Sequence, residues 1–256
     1  MAVDSAILEA MGNKKTRPTL RLYAWDPPCL SLGYAQPVSD VDQSKLNATG
    51  WGLVRRPTGG RAILHADELT YAAIGPKDEP RLTGSVLESY RRLSQALLTA
   101  LKALSVPVQA IPKAKSNIDR EQPICFECPS DYEITVNGKK LIGSAQARKK
   151  AGVLQHGTLP LYGDLTRITQ ALSFPTEEKR SLAAAHLLEK ATTVERVLGY
   201  RVSWESAARA FAQAFQETLN IEFIFKELTP DEEQRARELV KEKYSHSEWT
   251  EKRVRD

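Results

Sequence analysis

The chain carries three cysteines, at positions 29, 125 and 128, in 256 residues. So few, and odd in number, they make no disulfide framework and fit a reducing compartment. Long apolar runs are missing too. Nothing approaches the ~20 consecutive apolar residues that span a bilayer, and the opening MAVDSAILEA lacks the basic stretch and continuous apolar segment of a secretory leader. A cytoplasmic protein without a membrane partner is expected. Excess charge of one sign is also absent. Lys plus Arg number 36 against 32 Asp plus Glu, spread along the chain, and no basic stripe offers itself to nucleic acid. There is no internal repeat and no low-complexity linker.

What is present is a chain with 41% apolar residues, enough for a sizeable core. Val3, Ile7 and Met11 stand at helical spacing in residues 1–12. Residues 19–25, 30–34, 51–55, 61–64 and 68–74 read as strands, with Pro57-Thr-Gly-Gly60 as a turn, together suggesting an antiparallel meander. A long amphipathic helix is predicted over about 85–104, placed to pack across the sheet. Residues 112–124 read as a loop. Tyr132–Val136 and Lys139–Gln146 flank Asn137-Gly138, the signature of a type I′ hairpin, and residues 154–161 suggest one more strand. From about residue 163 the pattern turns helical, at 164–172, 191–198, 203–218 and 230–242, the last opened by Thr229-Pro-Asp-Glu-Glu. A late strand is predicted at 221–225 (IEFIF). One α+β domain over 1–256, with mostly antiparallel sheets packed by helices, is the expectation.

Three segments carry chemistry. In Pro123-Ile-Cys-Phe-Glu-Cys-Pro-Ser-Asp-Tyr-Glu-Ile134 two cysteines stand three apart. A structural zinc site wants a second pair of ligands, and neither Cys29 nor the histidines at 65, 156, 186 and 246 supply one. A redox pair wants a helix after the motif, whereas Pro129-Ser130 and a strand follow. Two small buried residues, or one reactive sulfur, remain open. In Arg55-Arg-Pro-Thr-Gly-Gly-Arg-Ala-Ile-Leu-His65, glycines permit close backbone approach amid arginines, which reads as an anion- or carbonyl-binding loop or simply as a basic surface turn. In Gly138-Lys-Lys-Leu-Ile-Gly-Ser-Ala-Gln146, two-residue hairpin pairing sets Thr135 opposite Lys140 and Glu133 opposite Ile142. Tyr132, Ile134, Val136 and Leu141 then form the core face, with Lys140 on the other.

These segments occur in order with Met1-Ala-Val-Asp4 and Ile7-Leu8, Leu20-Arg-Leu-Tyr-Ala-Trp25, Ser31-Leu-Gly-Tyr34, Glu68-Leu-Thr-Tyr-Ala72 and Leu154-Gln-His-Gly-Thr158. Taken together they resemble the lipoate-protein ligase and octanoyltransferase family over most of the chain. The resemblance implies a catalytic domain like those of biotin protein ligases and class II aminoacyl-tRNA synthetases. CFECPSDYE is similar to the branch that moves octanoyl from acyl carrier protein to the glycine cleavage H protein in lipoic acid assembly. That branch carries its nucleophile in the pattern Cys-Phe-x-x-Pro-Ser-x-Tyr-Glu, which implies Cys125, with Cys128 at a variable position. It likewise implies Lys140 as the catalytic lysine. Substrate contacts are implied for Arg55, Arg56, Thr58, Gly59, Gly60, Arg61 and His65 in the first loop, Gly143, Ser144 and Ala145 after the lysine, and Gln155, His156, Gly157 and Thr158 in the last strand. Octanoyl-acyl carrier protein and the H protein or another lipoyl-domain protein are the implied partners of a monomer without cofactor or metal.

Family members usually carry a segment ahead of the helix that begins here at Met1, and ATP-dependent ligases generally add an accessory domain after the core helices. The expectation is therefore a transferase. An amidotransferase acting between lipoyl domains, an ATP-dependent ligase, and a non-catalytic acyl- or metal-binding module are the alternatives.

Overall fold

The computed structural model describes residues 1–112 and 132–251. Cys125, Cys128 and the stretch before them, read above as a loop, lie outside the described residues. Alternating apolar residues build a six-stranded, wholly antiparallel sheet from β1 (Thr19–Tyr23), β5 (Glu68–Gly75), β6 (Gln109–Pro112), β7 (Tyr132–Val136), β8 (Lys139–Lys149) and β9 (Gly152–Pro160), in the order β1-β5-β9-β8-β7-β6. One face of it is apolar. Leu69, Tyr71, Val153 and Leu159 pack there under α3 (Val86–Ala103) and α6 (Trp204–Leu219), whose Leu93, Leu97, Leu101, Phe211 and Phe215 are buried. The opposite face receives α1 (Ala2–Gly12), with Ile7 and Leu8 against Ala72, Ile74 and Leu154.

The expected meander is replaced by a second sheet. β2 (Cys29–Leu32) lies between β3 (Gly52–Arg55), to which it is parallel, and β4 (Ile63–His65), to which it is antiparallel. A parallel pair needs a crossover, and α2 (Gln43–Thr49), capped by the Asp42 carboxylate on the Lys45 amide, provides it. Leu30, Leu32 and Ile63 pack on Ile168 of the 3₁₀ turn Leu165–Gln170, on Leu172 just after it and on Leu187 of α4 (Glu177–Lys190).

The C-terminal portion is helical, as expected, with α5 (Val194–Leu198), α7 (Pro230–Leu239) and α8 (Ser247–Thr250) completing it. Thr229 and Glu232 close a reciprocal cap on α7. The predicted strand at 221–225 does not form: Phe223 packs on the main core while Ile224 and Phe225 are exposed. Among the described residues no helix is long and apolar enough to cross a membrane.

Candidate active site

The hairpin carrying Lys140 is the first determinant. Asn137 and Gly138 take φ of 50° and 77°, the two left-handed residues of a type I′ turn, and Val136 faces Lys139 and Thr135 faces Lys140 as expected. Beyond that the register slips. Ile134, not Glu133, lies opposite Ile142, so Leu141 is an extra residue in β8. The physical reason is that Leu141 and Ile142 are both wanted in the core, where they are 0% and 3% exposed beside Ile134 and Val136. The bulge lets two consecutive side chains be buried, and it turns Lys140 with Thr135 to the α1 side of the sheet. Lys140 is no surface lysine. It is 4% exposed, and its carbonyl accepts the Thr192 amide at 3.1 Å.

On that same side, direct pairing places Gly143 with Thr158 and Ala145 with His156. A chain of buried hydrogen bonds runs from there into the small sheet. Glu68 accepts from Nδ1 of His65 at 2.7 Å, from Thr70 at 2.5 Å and from the Thr158 hydroxyl. Nε2 of His65 meets the Ser31 hydroxyl at 2.8 Å, and Ser31 in turn accepts from Arg56 at 3.1 Å. Trp25 stacks on the His65 ring at 4.3 Å and donates to Thr70 at 2.9 Å. Ser31, His65 and Glu68 have the connectivity of a hydrolytic triad, yet Ser31 is 0% exposed and engaged by Arg56, so they act as a brace between the sheets.

His156 meets the Thr58 hydroxyl at 2.6 Å. Burial pushes its pKa down to about 3, against the pull of Asp4, so the ring is neutral and available as a hydrogen-bond partner. Asp4 itself accepts from Arg21 at 2.7 Å and from Tyr23 at 2.8 Å. A small cleft opens beside Glu68, lined by Ile63, Leu64, Leu165, Ile168 and Leu187.

The expected binding residues do not share one face of the sheet. Thr58, His65, Gly143, Ala145, His156 and Thr158 gather on the α1 side with Lys140. Ser144 and Gln155 emerge on the helix side, where the Tyr71 hydroxyl meets Ser144 at 2.7 Å and accepts from Gln155 at 3.0 Å. Gln146, Ser89 and Arg148, none of them among the expected binding residues, extend that network. Arg56 reaches the carbonyls of Ser31, Gly59 and Arg61, and Arg55 those of Gly33, Tyr34 and Gln36. Both guanidiniums are buried and shape the loop. Arg61 pairs with Asp40 at 3.9 Å.

Gly157 has a steric task. A Cβ there would sit 2.6 Å from the Tyr71 ring and 2.7 Å from the Gly143 carbonyl, whereas one at Gly59 meets nothing within 4 Å. Gly157→Ala is therefore expected to cost about 1–3 kcal/mol of stability by overpacking, and Gly59→Ala almost nothing. Urea titrations check this, and coincident midpoints for the two variants would contradict it.

Residues 1–216 match the family described as lipoyl protein ligase A/B catalytic domain. The chain belongs to that family. Curated relatives include the octanoyltransferase LipM of Bacillus cereus, 38% identical over 99% of this chain and 93% of the relative. The octanoyltransferase LipM of Carboxydothermus hydrogenoformans is 40% identical over 97% and 92% of the two chains. Among solved structures, the bi-partite lipoate protein ligase of Thermoplasma acidophilum superposes with a TM-score of 0.78 at 27% identity, over 99% of this chain and 93% of that one. The lipoate-ligase fold expected from the motifs is thus borne out, and the chain is an acyltransferase. Among the described residues no three His, Cys, Asp or Glu side chains come together as metal ligands would.

Proposed function

We propose that the chain moves an octanoyl group from octanoyl-acyl carrier protein to a lysine of a lipoyl-domain protein of the glycine cleavage H protein type, through a thioester on Cys125. The observation that carries this reading is the likeness, along nearly the whole chain, to relatives named octanoyltransferase. Cys29 supports it by elimination. It is buried in β2, and burial pushes its thiol up to about 12, which leaves it a protonated, inert sulfur at neutral pH.

In the first half-reaction the Cys125 thiolate attacks the donor's thioester carbon, the bond to the carrier sulfur breaks, and that sulfur leaves as a thiolate that takes a proton from water. In the second, the acceptor lysine's neutral amine attacks the acyl-enzyme, an amide forms, and the Cys125 sulfur departs. In this proposal the Lys140 ammonium favours the thiolate in the first step, and Lys140 relays a proton between the incoming amine and the leaving sulfur in the second. Backbone amides near Gly59-Gly60 or Gly143-Ser144 stabilise the oxyanion.

Intact mass after mixing with octanoyl-acyl carrier protein tests the proposal. One octanoyl adduct is expected, formed without ATP and discharged by apo H protein. An adduct that forms only from an octanoylated lipoyl domain would favour an amidotransferase instead, and a requirement for ATP would favour a ligase.

A further inference from the structure

Arg55 belongs to the loop motif and ends β3. It is 0% exposed. One edge of its guanidinium donates to the carbonyls of Gly33 at 2.8 Å, Tyr34 at 3.1 Å and Gln36 at 2.6 Å. The other edge donates to Trp249 at 3.2 Å and to Thr250 at 3.0 and 2.6 Å. Trp249 returns the contact, its indole N–H donating to the Arg55 carbonyl at 2.8 Å.

We infer that residues 244–250 form a strap that, through Arg55 and Trp249, holds the Gly33–Gln36 loop and the Pro57–Gly60 turn in the geometry that receives the acyl donor. Arg55 and Trp249 are positioning residues. The inference rests on the proposed transfer for its substrate and on the structure for its connectivity. The loop and the turn move together because they touch at their backbones. The Tyr34 amide donates to the Thr58 carbonyl at 2.9 Å and the Arg56 amide to Leu32 at 3.0 Å. Gly33 lies so close to Gly60 that a Cβ on it would stand 1.7 Å from the Gly60 carbonyl oxygen. Thr58 then reaches His156 on the sheet.

The strap is anchored to α1 as well as to this loop. The Tyr244 hydroxyl bonds Ser5 of α1 at 2.6 Å, and the Trp249 ring lies between Tyr244 at 6.2 Å and Tyr34 at 6.0 Å, with the Lys243 ammonium 4.1 Å from its face. A planar guanidinium suits the joint because its rigid fork serves carbonyls on two edges at once, which an ammonium does not.

The test uses full-length Trp249→Phe, which keeps a ring and loses one donor, and Arg55→Lys, which keeps the charge and loses the fork. In both, amide hydrogen exchange at Tyr34 and Arg56 should rise about tenfold over wild type while Leu154 in β9 is unchanged. With octanoyl-acyl carrier protein as donor, kcat/KM should fall roughly tenfold in Trp249→Phe while kcat at saturating donor stays within about twofold. Unchanged exchange at Tyr34 and Arg56 in both variants overturns the strap. Faster exchange with an unaltered donor kcat/KM overturns the positioning role and leaves a merely structural joint. A wild-type protein that exchanges as expected yet transfers no octanoyl overturns the proposed function and not the strap.

Discussion

Cys125→Ser is expected to abolish the octanoyl adduct altogether on mixing with octanoyl-acyl carrier protein, while Cys128→Ser leaves its yield unchanged. A serine hydroxyl is a far weaker nucleophile than a thiolate at neutral pH and lacks the low-pKa leaving group of a thioester, so the second half-reaction is lost with the first. No other sulfur stands in. Cys29 is held in β2 with its thiol pushed up to about 12 by burial, and Cys128 sits where the nucleophile's motif tolerates other residues. Peptide mapping of the acylated wild type supplies the second check. An adduct found on Cys128 would reverse the assignment.

Lys140→Met is expected to reduce turnover by about 10²- to 10⁴-fold, the range for a lost acid or base. Its neighbour supplies the control. Lys139 is half-buried, and its ammonium donates to the Leu188 carbonyl at 2.5 Å, near the end of α4, so Lys139→Met should cost about 1 kcal/mol of stability and little activity. Because the two residues emerge on opposite faces of β8, their variants separate a role at the reacting centre from a role in holding the hairpin. Methionine fills much of the volume of the lysine stem, so rates are compared below the thermal midpoint of each variant. Equal losses of turnover at equal stability would show that the register, or the role, is wrong.

Much of this arrangement was legible in the sequence because the signals were local. Asn137-Gly138 announced a turn, the apolar stripe over 85–104 announced α3, which Ser85 and Glu88 cap reciprocally, and Thr229-Pro230 announced the start of α7. What escaped was set by packing between distant elements. α2 is short and contributes one buried residue, Leu46, and without it β2 and β3 read as neighbours in a meander instead of a parallel pair. α4 buries only Leu187, too little apolar patterning to announce a helix, although Thr176 followed by Glu177 and Glu178 was an available start signal. IEFIF alternates like a strand, but only Phe223 of it meets the core. Of the candidate site, the motifs gave the residues and not their sides. Whether Ser144 faces α3 and His156 faces α1 depends on strand pairing, and the carbonyl-binding work of Arg55 depends on Trp249 and Thr250, nearly two hundred residues away in sequence.

The extra residue at Leu141 makes the hairpin a counting device. Between the Asn137-Gly138 turn and Gly143 the number of residues, as much as their identity, decides from which surface of the sheet the lysine emerges. A substitution at Leu141 alters how well a cavity is filled. Loss of one residue there would carry the ammonium through the sheet into the layer of Leu93, Leu97 and Phe211, where a charge finds no water. The segment is therefore expected to be tolerant of changes in spelling and intolerant of changes in length.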